Sequence, residues 1–252
     1  KNAERPIFQM RRYLFGSIIS LMSIFTEKRI LLAVTGSIAA YKAADLASKL
    51  TQAGAQVDIL LTPGAEKFVT PLTFQSVTGR NTFTDADLWG GQAHVLHVGL
   101  GQSADLFVVA PATANTIAKM AHGIADNLVS ITALAARCPI LVAPAMDVGM
   151  YEHPATQENI RILAERGVVF AGPDEGRMAS GLMGRGRFVE PAELLGHIRL
   201  LLGKNGRLAG KKIVVTAGGT QEPIDPVRVL TNKSSGKQGY ALAQTSLDAG
   251  GT

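Results

Sequence analysis

Short apolar runs alternate with longer amphipathic segments from residue 28 onward. The apolar runs are rich in β-branched residues, as expected for strands buried on both faces of a sheet, and cover residues 30–34, 57–61, 106–110 and 140–142. Helical spacing of apolar residues follows at 39–53, 114–121 and 156–166, then a short strand at 168–170 and a helix at 191–202. The alternation predicts an α/β fold with a doubly wound parallel sheet and right-handed crossovers.

The pattern is interrupted after residue 202. Glycine and polar residues at 203–210 are typical of a linker. A new strand is predicted at 212–216, a turn at 217–219 and a helix at 239–248. One such unit cannot bury a core of its own. We therefore expect one domain over 28–202 and the first βα unit of a second α/β domain over 211–252.

The first 27 residues are expected to form an extension outside the fold. Arg11 and Arg12 precede an apolar run at 13–25, which is shorter than the roughly 20 residues that a membrane span needs. No small-x-small cleavage signal separates this run from the first strand. Met22 is a candidate initiator, which would leave the extension upstream of the protein.

Composition narrows the classes of partner. Apolar residues make up 46% and charged residues 18% of the chain, as in ordinary globular proteins. The net charge of +5 comes from scattered basic residues without interleaved aromatics, which favours phosphorylated small molecules over nucleic acid or a membrane. The single cysteine, Cys138, excludes an internal disulfide and a CxxC metal site, so a reducing cytoplasmic setting is expected and no metal site is predicted.

Polar and glycine-rich turns follow each of the four long predicted strands. Open α/β sheets bind ligands at the carboxyl ends of their strands, and a helix that begins there favours a phosphate. The first turn lacks the GxGxxG pattern of a dinucleotide site, and each turn alone is no more informative than an ordinary βα turn. Together they predict a cofactor site. The candidate cofactor-binding residues are Gly36, Ser37, Ile38, Thr62, Thr113, Asn115, Thr116, Ala145 and Met146.

Three of these turns carry recognisable motifs. GSIAAYK (36–42), APATANT (110–116) and PAMD-x-x-MY (144–151) resemble the homo-oligomeric flavin-containing cysteine decarboxylases, most of all the phosphopantothenoylcysteine decarboxylases. The resemblance covers 28–202. It implies a Rossmann- or flavodoxin-like flavoprotein, an FMN cofactor, a trimer-based assembly that reaches a dodecamer in full-length relatives, and decarboxylation of 4′-phosphopantothenoylcysteine.

The tail carries a second resemblance. TAGGTQEPIDPVRVLTNKSSGKQGYALA (216–243) is similar to the start of phosphopantothenate–cysteine ligases, which use CTP and Mg²⁺. The resemblance implies that Asn232 processes the acyl-cytidylate intermediate. Since the nucleotide-binding parts of a ligase are missing from this sequence, ligation is expected only of a full-length parent.

The decarboxylase resemblance also assigns the acid–base residues. His97 matches the position of the family's catalytic histidine, and imidazole suits proton transfer near neutral pH. His94 is the nearest competitor, whereas His122, His153 and His197 are interpreted as surface residues. FMN takes two electrons from the substrate cysteine, carbon dioxide leaves, and the electrons return with a proton to give the aminothiol.

Two residues depart from the family pattern. Asp147 stands where the family usually has asparagine, and an ionised carboxylate there would repel the substrate carboxylate unless it is protonated or paired. Ser180 stands in a flap at 176–187 where the family often has a cysteine that donates a proton. A hydroxyl is a much weaker acid than a thiol. Met150 in the PAMD motif and Arg185 or Arg187 in the flap are further candidates for binding the substrate, the arginines through its phosphate.

Two other functions are compatible with the sequence. A related flavoprotein could act on a carboxy-terminal cysteine of a peptide, although the ligase-like tail argues against it. A flavin-binding scaffold that has lost decarboxylation is the alternative from another class, and Asp147 and Ser180 give it weight. His97 and the intact cofactor turns count against that alternative.

Overall fold

The computed structural model describes residues 23–89 and 93–252. The chain divides into two compact units between Ile198 and Arg199, and each is described by itself. The predicted doubly wound parallel sheet is confirmed in the first unit.

Six parallel strands form this sheet in the order β3-β2-β1-β4-β5-β6. Their bounds are β1 Arg29–Val34, β2 Gln56–Leu61, β3 Thr82–Phe83, β4 Leu106–Ala112, β5 Ile140–Pro144 and β6 Val169–Phe170. Ile30 is in register with Val57 on one side and with Leu106 on the other, so β1 and β4 are central neighbours. Strand order reverses between β1 and β4, and such a switch point opens a crevice at the carboxyl ends of the strands.

Helices cover both faces of the sheet because nearly every strand residue is apolar and buried. Their bounds are α1 Ala40–Gln52, α2 Pro71–Thr78, α3 Ala93–Ser103, α4 Ala114–His122, α5 Leu128–Ala135, α6 Val148–Glu152, α7 Pro154–Glu165 and α8 Pro191–Gly203. Single 3-10 turns lie at Ala65–Lys67 and Asp85–Trp89. Among the fully buried side chains are Leu32, Leu46, Ile59 and Phe107, which place the core between the sheet and these helices.

Four helices, α2, α3, α5 and α6, were not predicted from the sequence, although α2 and α5 carry local signals. In α2, Pro71 occupies the first turn and Gly79 ends the helix with φ of 64°, a left-handed conformation that favours glycine. In α5, Asn127 and Ser130 form a reciprocal capping box. Helix α3 contains His97, whereas the sequence predicts only that this residue precedes a strand.

A two-stranded antiparallel hairpin, β7 Asp174–Arg177 and β8 Met183–Arg187, follows the sheet. It contains the predicted flap, with Ser180 in the loop between the strands. The sequence analysis predicted a glycine-rich covering segment here but not its strands.

The second unit differs from the predicted βα unit. No strand forms at 212–216; instead Ile213 N–H donates to the carbonyl of Thr252 at 2.7 Å. The strands of this unit are β9 Gln221–Pro223 and β10 Val229–Thr231, an antiparallel pair, followed by α9 Lys237–Asp248. The prediction of a first strand at 212–216 is therefore wrong for this chain. Val214 remains 84% exposed, so the segment lacks the neighbouring strands and covering helices that bury a parallel strand.

The expected boundary of the fold at residue 28 is also wrong. Phe25 is only 1% exposed and belongs to the core, so the structure of the first unit begins before β1. The expected extension over residues 1–22, including Arg11, Arg12 and Met22, lies outside the described residues. Across the parts of the chain that the structure describes, no helix is both long and apolar enough to cross a membrane.

Candidate active site

A cavity of about 580 Å³ opens at the carboxyl ends of β1, β4 and β5, where strand order reverses. Small-molecule and cofactor sites commonly have this size and position. Its walls come from three βα turns and from the β7–β8 hairpin. The lining residues are Gly36, Ser37, Ile38, Ala39, Tyr41, Lys42, Thr113, Ala114, Ala145, Met146, Asp147, Met150, Arg177, Met178, Ala179, Ser180, Gly186, Arg187 and Phe188.

The turn after β1 forms the first wall. Helix α1 begins at Ala40 without a side-chain cap, so the positive end of its dipole faces the cavity side of the turn. Ser37 Oγ accepts the N–H of Ala39 at 3.3 Å and keeps the turn tight. A Cβ atom on Gly36 would lie 3.0 Å from the Cα of Gly64, so the close approach of the two turns requires glycine. This wall suits an anionic group such as a phosphate.

Thr35 ties the end of β1 to the end of β4. Its hydroxyl, fully buried, donates to the carbonyl of Pro111 at 2.7 Å and accepts the N–H of Thr113 at 3.0 Å. Thr113 in turn caps α4, since its Oγ1 accepts the N–H of Thr116 at 3.3 Å. The two turns that flank the switch point are thus fixed relative to each other by buried hydrogen bonds.

The turn after β5 forms the opposite wall. The N–H of Ala145 donates to the carbonyl of Ala112 at 3.0 Å, which extends the contact between β4 and β5. Asp147 caps α6, its Oδ1 accepting the N–H of Gly149 at 3.1 Å. The carboxylate of Asp147 is therefore held at the rim of the cavity in a defined orientation.

The hairpin closes over this wall. The N–H of Met146 donates to the carbonyl of Gly186 at 3.1 Å. A Cβ atom on Gly186 would lie 2.3 Å from the carbonyl oxygen of Met146, so only glycine allows this approach. Ser180 Oγ donates to Asp147 Oδ2 at 2.6 Å, which joins the two departures from the family pattern in one contact.

Basic side chains reach the cavity both from α1 and from the hairpin. Lys42 Nζ and the Arg187 guanidinium both contact Glu190 Oε1, at 2.7 and 2.6 Å. The hydrogen bond from Lys42 is the main cause that holds the pKa of Glu190 below its ordinary value, with a smaller contribution from Arg187. Arg177 lines the same cavity. Lys42, Arg177 and Arg187 thus line the cavity with one acidic partner, Glu190, between two of them, which leaves net positive charge for an anionic ligand.

Four predicted residues lie away from the described lining. Thr62 is buried, where its Oγ1 accepts the N–H of Ala65 at 3.2 Å and contacts the carbonyl of Val34 at 3.5 Å. Asn115 is exposed, Thr116 is buried beneath Thr113, and the Arg185 guanidinium lies 5.9 Å from the ring centre of Tyr151. The Thr62 hydroxyl thus contacts backbone groups of Val34 and Ala65, and its role in binding a cofactor stays a prediction.

His97 also lies outside the described lining of this cavity. It is half-buried on α3, and its Nδ1 atom is buried without a hydrogen-bond partner in the described part of the chain. Buried polar atoms are rarely left unpaired, so this nitrogen is a candidate functional group. By contrast, His153 Nδ1 accepts the N–H of Ala155 at 3.2 Å and caps α7, a structural role.

Several lining residues were not predicted from the sequence. Tyr41 and Lys42 belong to the GSIAAYK motif and lie in the first turn of α1, just after Gly36. Their position beside that turn was the signal that could have identified them. Arg177, Met178 and Phe188 come from the hairpin, whose strands were not predicted.

Asn232, the candidate ligase residue, lies in the second unit. It is exposed, and its Oδ1 accepts the N–H of Ser234 at 3.0 Å. This hydrogen bond tightens the turn that precedes α9. The contact positions the amide of Asn232 in this turn, and its role in ligation stays a prediction.

Two parts of the chain match two different protein families. Residues 21–202 match the family described as Flavoprotein, and residues 208–252 match the DNA/pantothenate metabolism flavoprotein C-terminal domain. The coenzyme A biosynthesis bifunctional protein CoaBC of Bacillus subtilis is 45% identical over 229 residues, which are 90% of this chain and 56% of that protein. CoaBC of Mycobacterium tuberculosis is 46% identical over 227 residues, 88% of this chain and 54% of that protein. The chain therefore spans about half the length of these curated relatives.

Solved structures similar to the chain are flavoproteins and decarboxylases. A cysteine-to-serine mutant of a PPC decarboxylase, complexed with pantothenoylaminoethenethiol, is 36% identical with a TM-score of 0.64 and aligns with 69% of this chain and 97% of its own. The FMN-binding protein AtHal3 is 34% identical with a TM-score of 0.63, and the alignment covers 69% of this chain and 96% of that protein. The FMN-dependent cysteine decarboxylase SpaF is 34% identical with a TM-score of 0.60, and the alignment covers 71% of this chain and 97% of that protein.

Proposed function

Because the chain belongs to the Flavoprotein family, which its residues 21–202 match, we propose that it is an FMN-dependent carboxy-lyase of coenzyme A biosynthesis. The substrate is 4′-phosphopantothenoylcysteine and the product 4′-phosphopantetheine. One observation carries the proposal: the cavity at the switch point is lined together by the phosphate-type turn at Gly36, by Asp147 and by the flap residue Ser180. CoaBC proteins are similar to the chain in sequence, and a PPC decarboxylase and an FMN-dependent cysteine decarboxylase are similar to it in structure.

The residues present fit FMN. The cavity of about 580 Å³ is large enough for a cofactor, and the glycine–serine turn at Gly36 and Ser37 lines it. Ser37 and the uncapped start of α1 would hold the phosphate, while Thr113, Ala145 and Met146 would contact the ring system. When bound, FMN supplies a two-electron acceptor and donor for the substrate cysteine.

The protein residues bind the substrate and manage protons. Lys42, Arg177 and Arg187 provide the positive charge that a phosphate and a carboxylate require. Met150 lines the same cavity and offers apolar contact. Asp147 would repel the substrate carboxylate if its charge faced it directly, but its Oδ2 is engaged by the hydroxyl of Ser180.

A homo-oligomer, trimer-based as the family resemblance implies, belongs to the proposal. His97 is absent from the described lining of its own cavity, yet its Nδ1 is buried and unpaired within the described residues. A second copy of the chain that brings its own His97 to the cavity would place the imidazole beside the substrate. Subunit contact then completes the acid–base machinery.

The parent protein is proposed to ligate 4′-phosphopantothenate to cysteine with CTP and Mg²⁺, since residues 208–252 match the DNA/pantothenate metabolism flavoprotein C-terminal domain and the tail resembles the start of such ligases. Asn232 would act in that reaction. We place the protein in the cytoplasm, without a nucleic-acid or membrane partner. The single cysteine and the small-molecule cavity support this placement.

Anaerobic incubation of the FMN-loaded protein with 4′-phosphopantothenoylcysteine tests the proposed reaction. Mass spectrometry should show a product that has lost only carbon dioxide, which requires both the oxidative and the reductive stage. Unchanged substrate, with flavin absorbance demonstrating bound FMN, would refute the decarboxylase and favour a flavin-binding scaffold.

A further inference from the structure

The flap and the end of β5 are joined by a hydrogen bond between two side chains that line the cavity. Ser180 Oγ donates to Asp147 Oδ2 at 2.6 Å, while Asp147 Oδ1 accepts the N–H of Gly149 at 3.1 Å. Both carboxylate oxygens are thus engaged, and Oδ2 is directed at the hydroxyl. The contact is exposed, so solvent can exchange protons with it.

We propose that Asp147 and Ser180 form one proton relay, in which Ser180 passes a proton to the substrate and Asp147 replaces it. The relay rests on the proposed decarboxylation. A serine hydroxyl is far too weak an acid to donate a proton alone, whereas a carboxylic acid ionises near pH ~3.9 and a thiol near ~8.5. Ser180 can therefore protonate carbon only while it receives a proton from a stronger acid, and Asp147 is in direct contact with its oxygen.

The reaction provides and consumes protons at points that suit such a relay. Oxidation of the substrate cysteine, for which bound FMN would serve as the two-electron acceptor, would remove a β-carbon hydrogen with its electron pair and release the thiol proton to solvent. Cleavage of the bond to the carboxylate then releases carbon dioxide and leaves the electron pair of that bond in an ene-thiolate. Ser180 protonates the α-carbon, while Asp147, itself protonated from the solvent that reaches this exposed contact, replaces the proton on Oγ. A hydrogen with two electrons would then return to the β-carbon and solvent would protonate the sulfur, so one proton is consumed overall.

Asparagine at position 147 cannot perform this role. An amide has one oxygen, and if that oxygen keeps the cap on Gly149, the NH₂ group faces Ser180. The hydrogen bond would then reverse, and the amide carries no acidic proton to pass on. A cysteine at position 180 would need no partner, because a thiol is itself a sufficient acid.

Asp147→Asn, Ser180→Cys and the double variant separate these roles in single-turnover reactions of the FMN-loaded chain. We expect Asp147→Asn to release carbon dioxide but to form the aminothiol at least about 100-fold more slowly than the wild type. A decarboxylated species two hydrogen atoms lighter than the aminothiol should accumulate. Ser180→Cys in the Asp147→Asn background should restore aminothiol formation. Glu175→Gln is the matched control, since it removes an exposed carboxylate from the same hairpin outside the described lining and should change nothing.

The relay is overturned if Asp147→Asn forms the aminothiol at the wild-type rate, or if carbon dioxide release itself is lost. It is also overturned if the double variant stalls as Asp147→Asn does while Ser180→Cys alone is active. Flavin absorbance in every variant reports whether FMN stays bound. Failure of the proposed function has another signature: the wild-type protein, with flavin bound, leaves the substrate unchanged.

Discussion

Gly186→Ala should detach the hairpin from the cavity wall without unfolding the sheet. The added Cβ would lie 2.3 Å from the carbonyl oxygen of Met146, and Gly186 has φ of 153°, a conformation that favours glycine. To relieve this clash the hairpin has to move away from Met146, which breaks the hydrogen bond from Met146 N–H to the Gly186 carbonyl. Overpacking costs about 1–3 kcal/mol and the lost hydrogen bond about 1 kcal/mol. Together they destabilise docking by about 2–4 kcal/mol, or about 30- to 700-fold.

Hydrogen exchange at the Met146 amide measures this docking directly, because its acceptor is the hairpin carbonyl. Protection of that amide should fall by about 30- to 700-fold in Gly186→Ala. Gly181→Ala is the matched control: Gly181 lies in the loop of the same hairpin with φ of 88°, yet nothing lies within 4 Å of its added Cβ. Unchanged protection in Gly186→Ala, or an equal loss in Gly181→Ala, would refute the steric reasoning. Aminothiol formation should slow with the loss of docking while FMN binding persists.

Other perturbations test the acid–base group, the sheet and the thiol. His97→Asn should retain FMN but lose at least about 100-fold in carbon dioxide release, because a positioned imidazole contributes that much or more; near-native turnover would contradict its assignment. Asp58→Ala should lower the free energy of unfolding by about 1–3 kcal/mol in urea titrations, since it leaves Arg80 without two hydrogen bonds of 2.9 Å; an unchanged midpoint would count against this. Burial raises the pKa of Cys138, so the folded chain should react with a thiol reagent more slowly than the urea-unfolded chain at pH 8, and equal rates would exclude the shift.

The sequence predicted the sheet because its strands are continuous apolar runs. It failed where local signals were short, as with the two-residue strand β3 and the hairpin strand β8, which has three large or charged exposed residues. Thr62 shows a different limit. Its turn follows a strand, as predicted, but β2 lies outside β1, away from the switch point between β1 and β4. Strand order, which periodicity does not give, decides which turns reach the crevice.

The same limit applies to Asp147 and Ser180. Taken singly, each departure from the family pattern weakens the site: one brings a charge toward the substrate carboxylate, and the other replaces a thiol with a weaker acid. The two residues lie 33 positions apart, on a strand end and in a hairpin loop, and only the fold brings Oγ and Oδ2 to 2.6 Å. In contact, the carboxylate gains a donor and the hydroxyl gains a stronger acid as neighbour. Each substitution therefore supplies what the other lacks, which is why a single reversion toward the family residue at position 147 should impair this protein.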